Sequence, residues 1–261
     1  MVNLYNSSGK SEGKVELPAV FKTEFRPDLI QRAVVSIQSK RRQPYGTDPY
    51  AGLRTSADYF ANRKHSFRMT INKGQSRLPR EKPGGGGLGK VRRVPHSVKG
   101  RIAHGPQNKD YTRNINKKEY QKALNYAIAA TASKQLVEKR GHKVGRIAEL
   151  PLVIDDSFQS FKKTKDVLKT LESLGLGEEL ERGKVKSINA GKGKSRGRKY
   201  DKRKSILIVL NEDKCVKKAA QNIPGVDAAT VKDLDVELLA PGTHAGRLSL
   251  WTKAALQHLG K

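Results

Sequence analysis

The chain has 261 residues, of which 53 are Lys or Arg and 25 are Asp or Glu, a formal charge of +28 at pH 7. A self-repelling charge of that size is best accommodated by a polyanion, which places nucleic acid ahead of acidic metabolites and of an anionic membrane surface. A single Cys215 excludes an internal disulfide framework and a cysteine-based zinc cluster, and no apolar stretch is long enough to span a membrane.

In chain order, Val2 to Tyr5 and Val15 to Leu17 read as two short extended pieces joined by a turn through Gly9 and Gly13. Arg26-Pro27-Asp28 opens a helix with proline in its first turn, and Leu29, Ala33, Val34 and Ile37 share one face as far as the basic end Lys40-Arg41-Arg42. From 43 to 110 the apolar residues are sparse and follow neither a period of 2 nor one of 3.6, so this stretch is expected to be a basic arm without a core of its own. Such an arm becomes ordered when phosphates supply the partner that the missing core cannot.

After the arm, Asn116 with Glu119 resembles a capping box, and Tyr120, Leu124, Ile128, Ala132 and Leu136 predict one helix running to Gly141. Leu150 to Ile154 predicts a strand ending at Asp155-Asp156, and a helix carrying Phe161, Val167, Leu168 and Leu171 follows. Ser205 to Leu210 is continuously apolar and rich in β-branched residues, as strands covered on both faces are. A helix over 216–221, a strand over 228–231 and a final helix over 246–259 complete the body. Alternating strand and helix predicts an α/β fold, a mostly parallel sheet with helices on both faces, with residues 1–42 and 111–261 as the body and 43–110 as the inserted arm.

Three enzyme patterns are present by letter and fail on context. Gly84 to Gly89 fits G-x-G-x-x-G, but Pro83 precedes it where a dinucleotide fingerprint needs a strand, and Lys90-Val91-Arg92-Arg93-Val94-Pro95 follows where it needs a helix. Gly9-Lys10-Ser11-Glu12-Gly13 fits a nucleophile elbow yet lies in a predicted hairpin turn, and Gly193-Lys194-Ser195 lacks the earlier glycine of a P-loop, where Ile188 stands. The six histidines form no H-E-x-x-H and no pair at i, i+4, so no metal is expected, and no cofactor motif is complete. Asp155-Asp156 lies where an α/β enzyme places acidic groups, but a helix cap with a first-turn acid accounts for the pair without chemistry. Cys215 has basic neighbours and no evident base, and reads as a bystander thiol. In contrast, Ala190-Gly191-Lys192-Gly193-Lys194-Ser195-Arg196-Gly197-Arg198-Lys199-Tyr200 concentrates glycine with Lys and Arg. Glycine lets the backbone approach a ribose-phosphate chain while Arg offers forked donors and Lys a point charge.

Phe25-Arg26-Pro27-Asp28-Leu29-Ile30, the Tyr45-Gly46 to Leu53-Arg54 stretch, Arg93-Val94-Pro95 with Lys99-Gly100-Arg101-Ile102-Ala103-His104, the 190–200 loop and Leu239-Ala240-Pro241-Gly242-Thr243-His244-Ala245-Gly246-Arg247-Leu248 together resemble the large-subunit ribosomal protein four family, archaeal and eukaryotic type. The likeness spans essentially the whole chain and is nearer the archaeal form, since the chain stops at Lys261 without a long tail. It implies a non-enzymatic, RNA-binding protein of the cytoplasmic large ribosomal subunit, whose α/β body lies on the outer face of that subunit. It also implies a long basic loop that threads into ribosomal RNA to line part of the exit tunnel, supports subunit assembly and meets another loop-bearing tunnel protein. By the same resemblance no membrane and no small-molecule substrate take part. The segment from about Asn62 to Arg93 would come nearest the tunnel.

The candidate RNA contacts are Arg41, Arg42, Arg54, Arg63, Lys64, Arg68, Arg77, Arg80, Lys90, Arg92, Arg93, Lys99, Arg101 and His104 in and beside the arm. Lys192, Lys194, Arg196, Arg198 and Lys199 in the glycine-rich loop join them, with His244 and Arg247 near the C-terminus. Phosphate neutralisation is expected to provide affinity and RNA shape specificity. The alternatives are an RNA-modifying enzyme using Asp155 and Asp156 beside a basic RNA-binding arm, and a chromatin-like protein binding duplex DNA as well as structured RNA.

Overall fold

The computed structural model describes residues 1–59, 74–85 and 87–259. It divides the chain into two compact units, one formed by Met1–Arg41 with Thr112–Lys261 and the other by Arg42–Tyr111.

The larger unit is built on a six-stranded sheet. Its strands are β1 (Val2–Tyr5), β2 (Ser11–Val15), β3 (Leu152–Ile154), β6 (Leu207–Leu210), β7 (Asp227–Thr230) and β8 (Ser249–Thr252), in the order β2-β1-β3-β8-β6-β7. All neighbours are parallel except the edge hairpin β1–β2. A separate antiparallel pair, β4 (Lys186–Ile188) with β5 (Tyr200–Lys202), stands outside that sheet. The helices are α1 (Pro27–Arg41), α2 (Lys117–Ala132), α3 (Lys134–Lys139), α4 (Thr164–Ser173), α5 (Gly177–Lys184), α6 (Val216–Gln221), α7 (Val236–Leu239) and α8 (Lys253–Leu259).

The two-residue period of a strand explains why the sheet needs cover on both sides. Along β6, Ile208 and Leu210 join one apolar cluster, with Val137 of α3, Val167 and Leu171 of α4, Leu180 of α5 and Ala220 of α6. Leu207 and Val209, one residue out of step, join the other, with Ile30 and Val34 of α1, Ala127 and Ile128 of α2, Leu239 of α7 and Leu256 of α8. Trp251 of β8 is fully buried in this second layer and meets Phe21 edge to face at 5.4 Å. Each fully buried Val, Leu, Ile or Phe among these adds about 1.5–3 kcal/mol by leaving water.

Three expectations are corrected. The single helix expected from Asn116 to Gly141 is two, because Ser133 is extended with φ −85° and ψ 110°. The break carries the chain across the sheet: Ile128 belongs to one layer and Val137 to the other. The helix expected over 246–259 begins only at Lys253, since Leu248 and Leu250 face one layer and Trp251 the other, which is strand alternation in the middle of the sheet. The helix expected directly after Asp156 is a 3-10 turn, Asp156–Ser160, followed by α4. Among the described residues no helix is long and apolar enough to cross a membrane.

Candidate nucleic-acid interface

The β4–β5 hairpin presents the most concentrated positive charge on the larger unit. Every residue of its strands is exposed, and a 3-10 turn over Lys192–Arg196 closes it. Gly197 takes the left-handed conformation, φ 81°, which a side chain would strain. Asn189 fixes the neck, donating its backbone N–H to Lys199 O at 2.9 Å and its amide to Arg198 O at 3.0 Å. Ser195 Oγ donates to Lys192 O at 3.0 Å. With the backbone satisfied locally, Lys192, Lys194, Arg196, Arg198 and Lys199 all point to solvent, and none pairs with an acid among the described residues.

The roots of this hairpin are tied to a buried charge cluster. Glu179 of α5 is fully buried and accepts from Arg182 at 2.6 and 2.8 Å, His142 Nδ1 at 2.7 Å, Ser205 Oγ at 2.9 Å and the Lys143 N–H at 3.0 Å. Arg182 also donates to Lys204 O at 2.7 Å, which joins the cluster to the strand leaving the hairpin. Burial alone would raise the Glu179 carboxyl, but the Arg182 and His142 hydrogen bonds outweigh it and bring it down to about 2. Burial holds His142 below its ordinary value despite the pull of Glu179.

The second unit, Arg42–Tyr111, contains neither helix nor strand among its described residues. Among its described residues only Ala57 and Pro79 are buried, and backbone pairing joins neighbouring passes of the chain. Asp58 and Arg80 exchange backbone hydrogen bonds at 3.1 and 3.0 Å, Glu81 N–H reaches Lys90 O at 3.0 Å, and Arg92 N–H reaches Pro79 O at 3.1 Å. The chain passes are so close that a Cβ on Gly52, itself at φ 76°, would lie 2.3 Å from Gly100 O.

The expected contacts separate by this geometry. Arg77, Lys90, Lys99, Arg101 and His104 are exposed and form no ion pair with a described residue. Arg54 is exposed but pairs with Asp48 at 3.0 Å, and Arg42 lies 3.9 Å over the Tyr111 ring, on which Tyr45 also stacks. Arg41, on the larger unit, pairs with Glu237 of α7. Arg80 and Arg92 are turned inward: Arg80 holds Ser76, and Arg92 holds Glu81 at 3.0 Å and the Val98 carbonyl. Arg93 is exposed and reaches Ala57 O at 3.5 Å. Arg63, Lys64 and Arg68 lie outside the described residues, as does much of the Asn62 to Arg93 segment.

Of the two C-terminal candidates, His244 is exposed, and Arg247 is not presented to a ligand. Arg247 is fully buried and all three of its side-chain nitrogens are engaged, Nε by Ser205 O at 2.8 Å, Nη1 by Leu238 O at 2.9 Å, and Nη2 by Asp227 at 2.6 Å and Gly225 O at 3.3 Å. Burial lowers its pKa, while the Asp227 charge pulls the other way. The local run His244-Ala245-Gly246-Arg247 gives no sign of this, because it depends on strands brought together by the sheet. Asp155 and Asp156 serve as caps: Asp155 accepts from the Ser157 N–H at 3.2 Å, and Asp156 from Gln159 at 3.0 Å and the first-turn Ala254 N–H of α8 at 3.0 Å. Hydrogen bonding by Ser157 holds the Asp155 carboxyl below its ordinary range, the opposite of a general acid. The strand Lys186–Ile188 has no signal in sequence, being too short and too polar, and Tyr200 closes the glycine-rich run without marking the strand it opens.

Residues 15–261 match the ribosomal protein L4/L1 family. The chain is 48% identical over 259 residues to a large ribosomal subunit protein uL4 from Methanococcoides burtonii, covering 98% of this chain and 96% of that protein. It is 46% identical over 258 residues to the protein of the same name from Archaeoglobus fulgidus, covering 98% and 96%. With that of Methanosphaera stadtmanae it shares 44% identity over 261 residues, covering 99% and 96%.

Proposed function

The chain belongs to the ribosomal protein L4/L1 family, of archaeal type, and from that premise we infer that it is a structural, non-enzymatic constituent of the large ribosomal subunit in the cytoplasmic ribosome. It binds large-subunit ribosomal RNA, and other proteins of the subunit are its neighbours. The observation that supports RNA as the ligand is the closed glycine turn on β4–β5, whose five cations, Lys192, Lys194, Arg196, Arg198 and Lys199, face solvent without an acidic partner among the described residues. Unpaired cations on a backbone that satisfies itself are what a phosphate chain neutralises. The second unit supplies a further set, Arg77, Lys90, Lys99, Arg101 and His104, on a segment whose internal hydrogen bonding compensates for its missing core. In this reading the 43–110 arm enters the ribosomal RNA, supports assembly of the subunit, lines part of the exit tunnel and meets a second loop-bearing protein there.

Sedimentation of a cell extract at moderate and high salt tests the reading. The chain is expected to travel with the large subunit through the high-salt wash, and release at high salt would overturn an integral role. With purified protein, the double substitution Arg196→Ala, Arg198→Ala is expected to weaken RNA binding and to flatten the dependence of log K on log salt by about one unit per lost phosphate contact. An unchanged slope would remove the hairpin from the interface.

A further inference from the structure

We propose that the β4–β5 hairpin carries a stacking site for an unpaired RNA base, formed by Tyr200 and Ile188 and rimmed by Lys186, Lys199 and Lys202. The inference rests on the ribosomal reading and specifies the ligand of that same hairpin.

The register places Ile188 directly opposite Tyr200 and Lys186 opposite Lys202. Residues two apart on a strand and directly opposite across a pair share a face. One face therefore carries Lys186, Ile188, Tyr200 and Lys202, and the other carries Ser187 and Asp201. Ile188 is 63% exposed and Tyr200 50%, so an aromatic ring and a branched aliphatic chain stand side by side in water on strands with no buried residue. An isolated two-stranded hairpin is marginal by itself, so this one gains order from whatever covers it.

Charge selects the occupant. The Lys199 and Lys186 ammonium groups lie 5.4 and 5.9 Å from the Tyr200 ring centroid. A protein core laid on this face would have to bury those ammonium groups unpaired. A nucleotide would not, since its flat base covers the ring while its phosphates meet the cations. In duplex RNA the base faces are already stacked, which restricts the ligand to an unpaired base in a loop, bulge or single strand.

The test uses the full chain and two fluorescent RNAs of equal phosphate number, an unstructured single strand of about twelve nucleotides and a duplex hairpin. The single strand carries 5-iodouracil for photo-cross-linking, with the cross-linked residue identified by mass spectrometry. The wild type is expected to cross-link at Tyr200. Tyr200→Leu is expected to lose that adduct and about tenfold in single-strand affinity, with its salt slope and duplex affinity unchanged. Tyr200→Phe is expected to keep both. Equal losses on the two RNAs, a lowered salt slope, or no adduct at Tyr200 would overturn the stacking site. A wild-type chain that sediments with the large subunit but gives no Tyr200 adduct would defeat this inference alone, whereas failure to sediment with the subunit would defeat the reading beneath it.

Discussion

Glu179 and Arg247 show how a chain of charge +28 still keeps charged groups inside its body. Each is fully buried, and each is held by a partner of opposite sign, Arg182 at 2.6 Å and Asp227 at 2.6 Å. Removing one partner of a buried pair leaves an uncompensated charge, so Glu179→Gln is expected to cost about 3–5 kcal/mol in urea unfolding. The Glu179 carboxyl titrates near 2 when folded against its ordinary 4.5, so the folded state binds fewer protons; its contribution is complete above pH 4.5 and is lost as pH falls through 2. His142 acts in the same direction, because a lowered folded value means that protonation favours the unfolded chain below its ordinary 6.5. Unfolding midpoints followed from pH 7 downward should therefore fall, and fall less steeply in Glu179→Gln. Arg247→Met should likewise destabilise while leaving the salt slope of RNA binding unchanged, and a reduced slope would show that Arg247 touches phosphate after all.

At the scale of elements, cover decides what a strand is for. β8 lies between β3 and β6 with every residue buried, whereas β4 and β5 bury none. Leu250→Ala in β8 is expected to lose about 2–5 kcal/mol, because a cavity opens in a layer packed by two neighbouring strands. Ile188→Ala in β4 is expected to change stability by less than about 0.5 kcal/mol, since no packed neighbour is lost. Thermal or urea unfolding of the two variants distinguishes these roles, and a large loss at Ile188 would show that the hairpin packs on the body. The α2–α3 junction follows the same logic: the bend at Ser133 exists because Ile128 and Val137 are needed on opposite faces of one sheet.

For the whole molecule, the two units differ in what stabilises them. The larger has two apolar layers around a sheet, and the smaller has backbone hydrogen bonds with almost no buried apolar surface among its described residues. Both ends of the inserted segment leave one place on the larger unit, where Ser36 Oγ donates to Arg113 O at 2.6 Å and Arg113 N–H donates to Ser39 Oγ at 2.9 Å. Replacing residues 43–110 by a short Gly/Ser linker is therefore expected to leave the melting temperature of the body within a few degrees of the full chain, measured by circular dichroism. A large drop would mean that the insertion carries part of the body's stability.

Length, charge and local period were enough to place α1, α6 and the apolar strand ending at Leu210, because each depends on residues close in sequence. The glycine-rich basic turn was legible for the same reason: its cations and its left-handed Gly197 belong to one short run. The tertiary structure alone decided that Leu250 and Trp251 sit in a strand, that Ser133 divides a helix, and that Arg247 belongs to the interior. Those outcomes depend on which distant segments meet. A short apolar run satisfies helix and strand periods alike until a sheet neighbour claims it, and an arginine faces inward only when a buried carboxylate and free carbonyls from other strands are there to receive it.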